Sequence, residues 1–403
     1  MSLPNFDNLR DYCNAQAVLS RRVMDEFLIP YAAQREELDR EMIRLMKPHV
    51  QIIKEWDKQV LPYFMGEYIS YRLLKRNGLL EKYLDHKAIQ RRPAEDKEFL
   101  QILVSKAAQF AFIKLLQSPA PDFFQALDLF TGEEILLYSP SLQKSSVHDQ
   151  AQMWFVLRVW NGECWTCYGL NICLSGLTPD DIYFYASEMD PAVDSDEEIM
   201  AHVHAHPFHY FLLHDISHVP DILTGGIPMR FVTSEDPASF PDQPNISETF
   251  ECEVRDAILQ MTLLAKEGEQ PDKLIGTAYL DEEQKTLYRV AYSEKNFDRL
   301  TTALNAAGFD IPDEPILSVA PLMLELAERV LMRKIPLHPF EELFDDAVKI
   351  GEDPTDGMNR FMDALIPSLN AGTKPDIAQL ARDNNIPLET AEAVYQHYLN
   401  LLK

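Results

Sequence analysis

Asn161-Gly162 stands between QMWFVLRVW (152–160) and ECWTCYGL (163–170), and no other dipeptide constrains this chain as strongly. Both flanking runs alternate apolar with polar or aromatic residues, and Asn-Gly adopts the positive φ angles of a two-residue turn, so the segment reads as a β-hairpin. A hairpin commits the middle of the chain to an antiparallel sheet, which needs further strands. Two other segments provide them. FFQALDLFTGEEILLY (123–138) is a pair of extended runs around Thr131-Gly132. IGTAYLDEEQKTLYRVAYS (275–293) is another pair, followed by the amphipathic NFDRLTTALNAAG, a helix that ends at Gly308.

The flanks follow a different period. From Ala17 to Val60 there is no Gly, and Leu28, Ala32, Leu38, Met42, Leu45 and Met46 recur at helical intervals. Pro30, Pro48 and Pro62 end or kink these helices. Further helices are expected over 65–76 and 95–118, the latter including KAAQFAFIKLLQ (106–117) as a helix with a buried face. After residue 315 the pattern is helical again and ends in two short helices, Asp376–Asn384 and Leu388–Leu402. The expected fold class is α+β, in three parts: an N-terminal helical bundle (1–120), a central antiparallel-sheet module with three hairpins and helices (121–310), and a helical C-terminal region (311–403).

Charge narrows the function classes. The net charge is −27. Residues 1–100 hold 17 basic and 16 acidic side chains, so the excess lies in the rest of the chain, and it is densest over 180–256, where Arg230 and Arg255 face 17 acids. Nucleic acid and membrane surfaces are disfavoured as partners, since each phosphate contact needs a cation. A basic protein is the partner class that this charge favours. The two C-terminal helices have the lengths of a DNA-reading unit but lack its cations, so they read as packing or protein contact. The N-terminus, MSLPNFDNLRDYC, shows no basic segment leading an apolar one, and no 18-residue apolar run occurs, so a cytoplasmic location is expected.

Six of the eleven histidines fall within 202–218. On a helix capped by Asp194-Ser195-Asp196, His202, His206 and His209 share one face at i, i+4, i+7, and His214 and His218 form a second i, i+4 pair beside Asp215. That spacing can chelate zinc or nickel, so the expected metal site comprises His202, His206, His209, His214, His218 and Asp215. His214-Asp-Ile-Ser-His218 places Asp where a metalloprotease carries Glu, which weakens a protease reading. Cys164-Trp-Thr-Cys167 lies on an expected strand, where side chains three apart point to opposite faces, so its sulfurs should diverge. Five cysteines do not make a disulfide framework and read as thiols. No phosphate-cradling glycine motif and no nucleophile elbow is present.

The strand–turn pattern Asp128, Thr131, Gly132, Glu133, then Arg158-Val159 and its hairpin, then Ser293 and Arg299 leading a helix, resembles uncharacterised bacterial proteins. Those proteins often carry a SecA-C-terminal-type zinc motif. FMGEYISYRLLKRNGLLEKYL (64–84) is similar to their helical part. The resemblance spans about 60–308 and implies an intracellular bacterial protein, with no activity attached. The zinc tail is missing, since no cysteine follows Cys252. The expected function is non-catalytic, through protein contacts, with a metal-binding protein or metal-dependent hydrolase as the alternative.

Overall fold

The computed structural model describes residues 5–144, 152–217, 219, 222–224, 227–238, 246, 249–265, 274–344, 361, 365, 375, 377–384, 391 and 395. The chain divides into two compact units, Met1–Leu337 and His338–Lys403. The architecture is α+β, with N-terminal helices, a central part of sheets and helices, and C-terminal helices.

Helix α1 (Phe6–Ser20) starts at Asn5, whose side chain accepts from the Asp7 and Asn8 amides. It runs on as a π-helical stretch, Arg21–Leu28, into α2 (Ile29–Arg35), so Pro30 lies within a continuous helix and does not end it. Glu37, at φ 54°, then breaks the helix. There follow α3 (Leu38–Met46), α4 (Val50–Ile53), α5 (Val60–Leu74), α6 (Leu79–Tyr83), α7 (Lys87–Gln90) and α8 (Ala94–Ser105).

Five strands close into a barrel: β1 (Gln109–Ala120), β2 (Phe123–Asp128), β3 (Glu134–Tyr138), β4 (Met153–Trp160) and β5 (Trp165–Leu174). Their order is β1-β2-β3-β5-β4, with every pair antiparallel except β3 and β5. This is the Greek-key connectivity of an OB barrel, with a short helix α9 (Pro140–Lys144) after β3. β4 and β5 form the expected hairpin, but through the four residues 161–164 rather than a two-residue turn: Asn161 Oδ1 accepts from the Glu163 and Cys164 amides, and of the Asn-Gly pair Gly162 alone takes a positive φ, 109°.

Strand β1 corrects the helix expected over 106–117. Ala111 and Ile113 face the barrel cluster with Phe124, Ala126, Val156 and Trp165. Phe110 and Phe112 face the core shared with the helices, where Phe110 meets Tyr71 at 4.7 Å and Phe211 at 5.6 Å. A strand buried on both faces shows a continuous apolar run, which mimics a buried helix. At one end of the barrel the buried Arg158 pairs with Asp128 (3.4 Å) and Glu133 (2.9 Å).

The barrel leads into α10 (Pro179–Met189), α11 (Asp196–Ala205) and α12 (Pro207–Phe211), then a short ribbon of β6 (Leu223–Thr224) and β7 (Ile227–Pro228). A second, antiparallel sheet comprises β8 (Phe231–Pro237), β9 (Glu251–Arg255), β10 (Ile258–Leu264), β11 (Leu274–Asp281), β12 (Thr286–Ala291) and β13 (Leu317–Val319), ordered β13-β8-β12-β11-β10-β9. The hairpin expected over 275–293 is β11–β12, and α13 (Glu294–Ala306) packs Leu300 and Leu304 onto it. Helix α14 (Pro321–Leu331) completes the first unit.

In the second unit, α15 (Glu341–Phe344) and α16 (Ile377–Asp383) are described, and Phe361, Leu365, Ala381, Ala391 and Tyr395 form a core of their own. The second of the two expected terminal helices lies outside the described residues, apart from Ala391 and Tyr395. No described helix is long and apolar enough to cross a membrane.

Candidate functional site

The three histidines expected on one helix face meet instead across a corner between two helices: His202 lies on α11, His206 is the non-helical residue after it, and His209 lies on α12. Ser195 caps α11 by accepting from the Glu198 amide, three acids fill its first turn, and Pro207 opens α12. Across the α11–α12 corner the rings of His202, His206 and His209 gather, with centroids 4.9 Å (202–206), 5.6 Å (206–209) and 6.3 Å (202–209) apart. His49 joins them, 5.9 Å from His209.

The gathered rings do not make a metal centre. Among the described residues no group of three or more His, Cys, Asp or Glu is placed to hold a metal ion, which overturns the expected zinc or nickel site and the metal-binding reading. The reason is orientation. His206 and His209 stack face to face at 17°, whereas a metal needs lone pairs in the ring planes to converge at about 2 Å. His202 Nδ1 is engaged by the Tyr210 hydroxyl at 2.8 Å. Asp215 accepts from Trp56 Nε1 (3.1 Å) and Arg329 (2.6 Å), and His214 lies edge-on to Trp56 at 5.3 Å. His218 lies outside the described residues. Burial moves the rings away from protonation: the His204 and His209 pKa values fall to about 4, and those of His49 and His202 also fall.

Cys164 and Cys167 diverge as strand geometry requires. Cys167 packs against the barrel cluster, while Cys164 packs with Cys13, Phe123 and Tyr138. The sulfurs of Cys13 and Cys164 lie 3.6 Å apart, and Asn161 Nδ2 donates to both, at 3.3 Å and 3.5 Å. These hydrogen bonds make Cys13 the more acidic thiol of the pair. All five cysteines are free.

Beside this pair lies a cavity of about 250 Å³, walled by α1, the π-helical stretch, α8, and the strands flanking the β4–β5 turn. Met24, Leu74, Phe99, Leu103 and Trp160 give it apolar walls. Its polar groups are mostly engaged. Asn14 Oδ1 accepts from the Tyr138 hydroxyl at 2.9 Å, Asp25 accepts from the Tyr168 hydroxyl, and Tyr12 donates to the Asn161 carbonyl at 2.7 Å. Gln16 is different: it lines the cavity and its Oε1 is buried with no hydrogen-bond partner. Behind β5, the fully buried Glu67 accepts from the Leu170 amide at 3.0 Å, and burial pushes its carboxyl well up.

Sequence reading did not reach this cavity. Its walls come from residues 13–25, 74, 99–103, 138–140 and 159–168, where the local signals are Asn161-Gly162 and Cys164-Trp-Thr-Cys167, neither of which points to a cavity. No family model, curated protein or solved structure matches the chain.

Proposed function

We propose that the chain is a cytoplasmic, non-catalytic binding protein that holds a small, largely apolar molecule with one hydrogen-bond donor in the cavity between α1 and the barrel. The observation that carries this reading is the apolar 250 Å³ space with Gln16 Oε1 buried and unpartnered at its wall. A buried acceptor without a donor costs about 1–3 kcal/mol, which a ligand N–H or O–H would recover. A cavity of about 150 Å³ holds benzene, so the space suits a bicyclic molecule. Two features support the reading. A π-helical stretch is uncommon outside functional sites, and Arg21–Leu28 forms one wall. The β4–β5 turn is a ligand-contacting loop in OB barrels, although a fold alone assigns no activity.

Nucleic acid is the disfavoured partner, since Phe6 of α1 packs on Phe123 at 5.2 Å, over the β2–β3 face that OB barrels offer to oligonucleotides. Action through a basic protein segment is a second reading. It is favoured by an acidic-rimmed groove where Ile316 is 71% exposed beside Phe184, Asp180 and Glu188. A Lys/Leu-rich peptide that binds the parent and Ile316→Asp equally would exclude that groove.

The test of the cavity is a calorimetric titration with indole as probe. One indole should bind per chain, and Leu103→Trp, which fills the space, should abolish binding while the unfolding midpoint is retained. Binding that is unaffected by Leu103→Trp would place the site elsewhere, and no binding by the parent would reject the reading.

A further inference from the structure

Helix α1 and the β4–β5 turn hold two thiols in contact. The sulfurs of Cys13 and Cys164 lie 3.6 Å apart, although the residues are 151 positions apart in the chain. The turn is fixed against the helix beside them. The Tyr12 hydroxyl donates to the Asn161 carbonyl at 2.7 Å, and a Cβ at Gly162 would lie 2.5 Å from that hydroxyl, so α1 sits as close to the turn as a glycine permits. Asn161 Oδ1 is occupied by the Glu163 and Cys164 amides, which aims its Nδ2 at both sulfurs, at 3.3 Å and 3.5 Å. An N–H donor shared by two sulfurs favours negative charge on them.

The two thiols are not equivalent. Cys13 lines the cavity of about 250 Å³, and Cys164 is not among its walls. The exposed Asn14, Ala17 and Arg21 line the same cavity, so it opens to solvent along α1. A molecule little larger than water can therefore reach Cys13. Hydrogen bonds from Cys164 and Asn161 draw the Cys13 thiol below its ordinary value, whereas burial pushes Cys167 up to about 12 and raises Cys173 as well. Reactivity toward a small oxidant is thus concentrated on one sulfur that has a second sulfur beside it.

We propose that Cys13 and Cys164 are a reversible oxidation site for a hydroperoxide, with Cys13 as the attacking sulfur and Cys164 as the resolving one. The Cys13 thiolate attacks one peroxide oxygen, the O–O bond breaks and hydroxide leaves, which makes Cys13 a sulfenic acid. The Cys164 sulfur then displaces the sulfenic hydroxyl, giving the disulfide and water. With hydrogen peroxide, two thiols and one peroxide become one disulfide and two waters. The sulfurs lose two electrons, the peroxide gains them, and both thiol protons end in the waters. A disulfide holds its sulfurs about 2.05 Å apart, so the pair has about 1.5 Å to close. The product fastens α1 to the β4–β5 turn, and its formation does not depend on what the cavity binds.

Treatment of the whole reduced chain with hydrogen peroxide tests this, with the remaining thiols alkylated in denaturant and the peptides mapped by mass spectrometry without reduction. The expected product is an intramolecular Cys13–Cys164 cross-link, with two hydrogens lost from the chain. It should form roughly tenfold faster than oxygen is added at Cys167 or Cys173, and dithiothreitol should reverse it. In Cys164→Ala, with the parent unfolding midpoint, Cys13 should instead gain oxygen. The mapping of the parent decides the proposal even where that variant fails to fold. Oxidation of Cys252 while Cys13 and Cys164 stay reduced, a cross-link that joins only other cysteines or two chains, or an unmodified Cys13 in folded Cys164→Ala overturns the proposal.

Discussion

The histidine corner and the barrel-side cavity both bury titratable groups between helices and the barrel, but burial acts on them with opposite sign. At the corner the buried groups are bases, and desolvation lowers their pKa values. Behind β5, on the barrel side, the buried group is the carboxyl of Glu67, and desolvation raises it. The two regions also differ in packing. The corner is built from neighbours in sequence whose rings stack on one another. The cavity is built from residues as far apart as Cys13 and Tyr168, which leave space and one unpaired acceptor. Clustering of a reactive residue type therefore marks a corner of stacked rings here, while the larger cavity is assembled from residues far apart in sequence.

The largest effect is expected from Gly169→Ala. Gly169 sits at φ 81°, and an added Cβ would lie 2.5 Å from Glu67 Oε2. Strain and overpacking together should cost about 3 kcal/mol in denaturant unfolding. A cost near zero would show that Glu67 is not packed against β5 as described.

Acid is next. The folded pKa values of His204 and His209 lie below the free value, so the folded state prefers neutral rings. Their contribution is complete above pH 6.5 and is lost as pH falls toward about 4. Each ring should account for on the order of 2 kcal/mol of that loss. His209→Phe should flatten this limb of the stability curve, and an unchanged slope would remove His209 from it.

Glu67 should show the opposite limb. Its raised pKa means that its contribution is complete below the free value of about 4.5 and is lost as pH rises. Glu67→Gln keeps an acceptor for the Leu170 amide and should gain about 1 kcal/mol at pH 8 while changing little at pH 4. A gain that is equal at both pH values would show that ionisation is not the cause. The smallest effect concerns thiols: limiting iodoacetamide should label the exposed Cys252 well before the buried Cys13 and Cys164. Labelling of Cys13 at the rate of Cys252 would show that the α1–barrel contact opens readily.

What the sequence disclosed follows from the range of each interaction. The β4–β5 and β11–β12 hairpins were legible because turn chemistry and strand alternation are local. Strand β1 was not, because Phe110 and Phe112 on one face and Ala111 and Ile113 on the other are all buried, which erases the alternation. The proximity of His202, His206 and His209 was legible from their closeness in sequence, but the corner at His206 and Pro207 that brings them together was not. Their stacking was not, because ring orientation depends on Tyr210, His49 and the bend at Pro207. The Cys13–Cys164 pair and the unpartnered Gln16 had no local trace, since tertiary contact alone creates both.

The central claim is that Gln16, at the wall of an apolar cavity, accepts a hydrogen bond from the molecule that the cavity holds. Titrating the parent and Gln16→Leu with indole, and with benzothiophene as its isostere lacking the N–H, tests that claim directly. The expected result is that Gln16→Leu weakens indole by about fivefold and leaves benzothiophene unchanged or tighter. Equal loss of both ligands, or no change in indole, would contradict it.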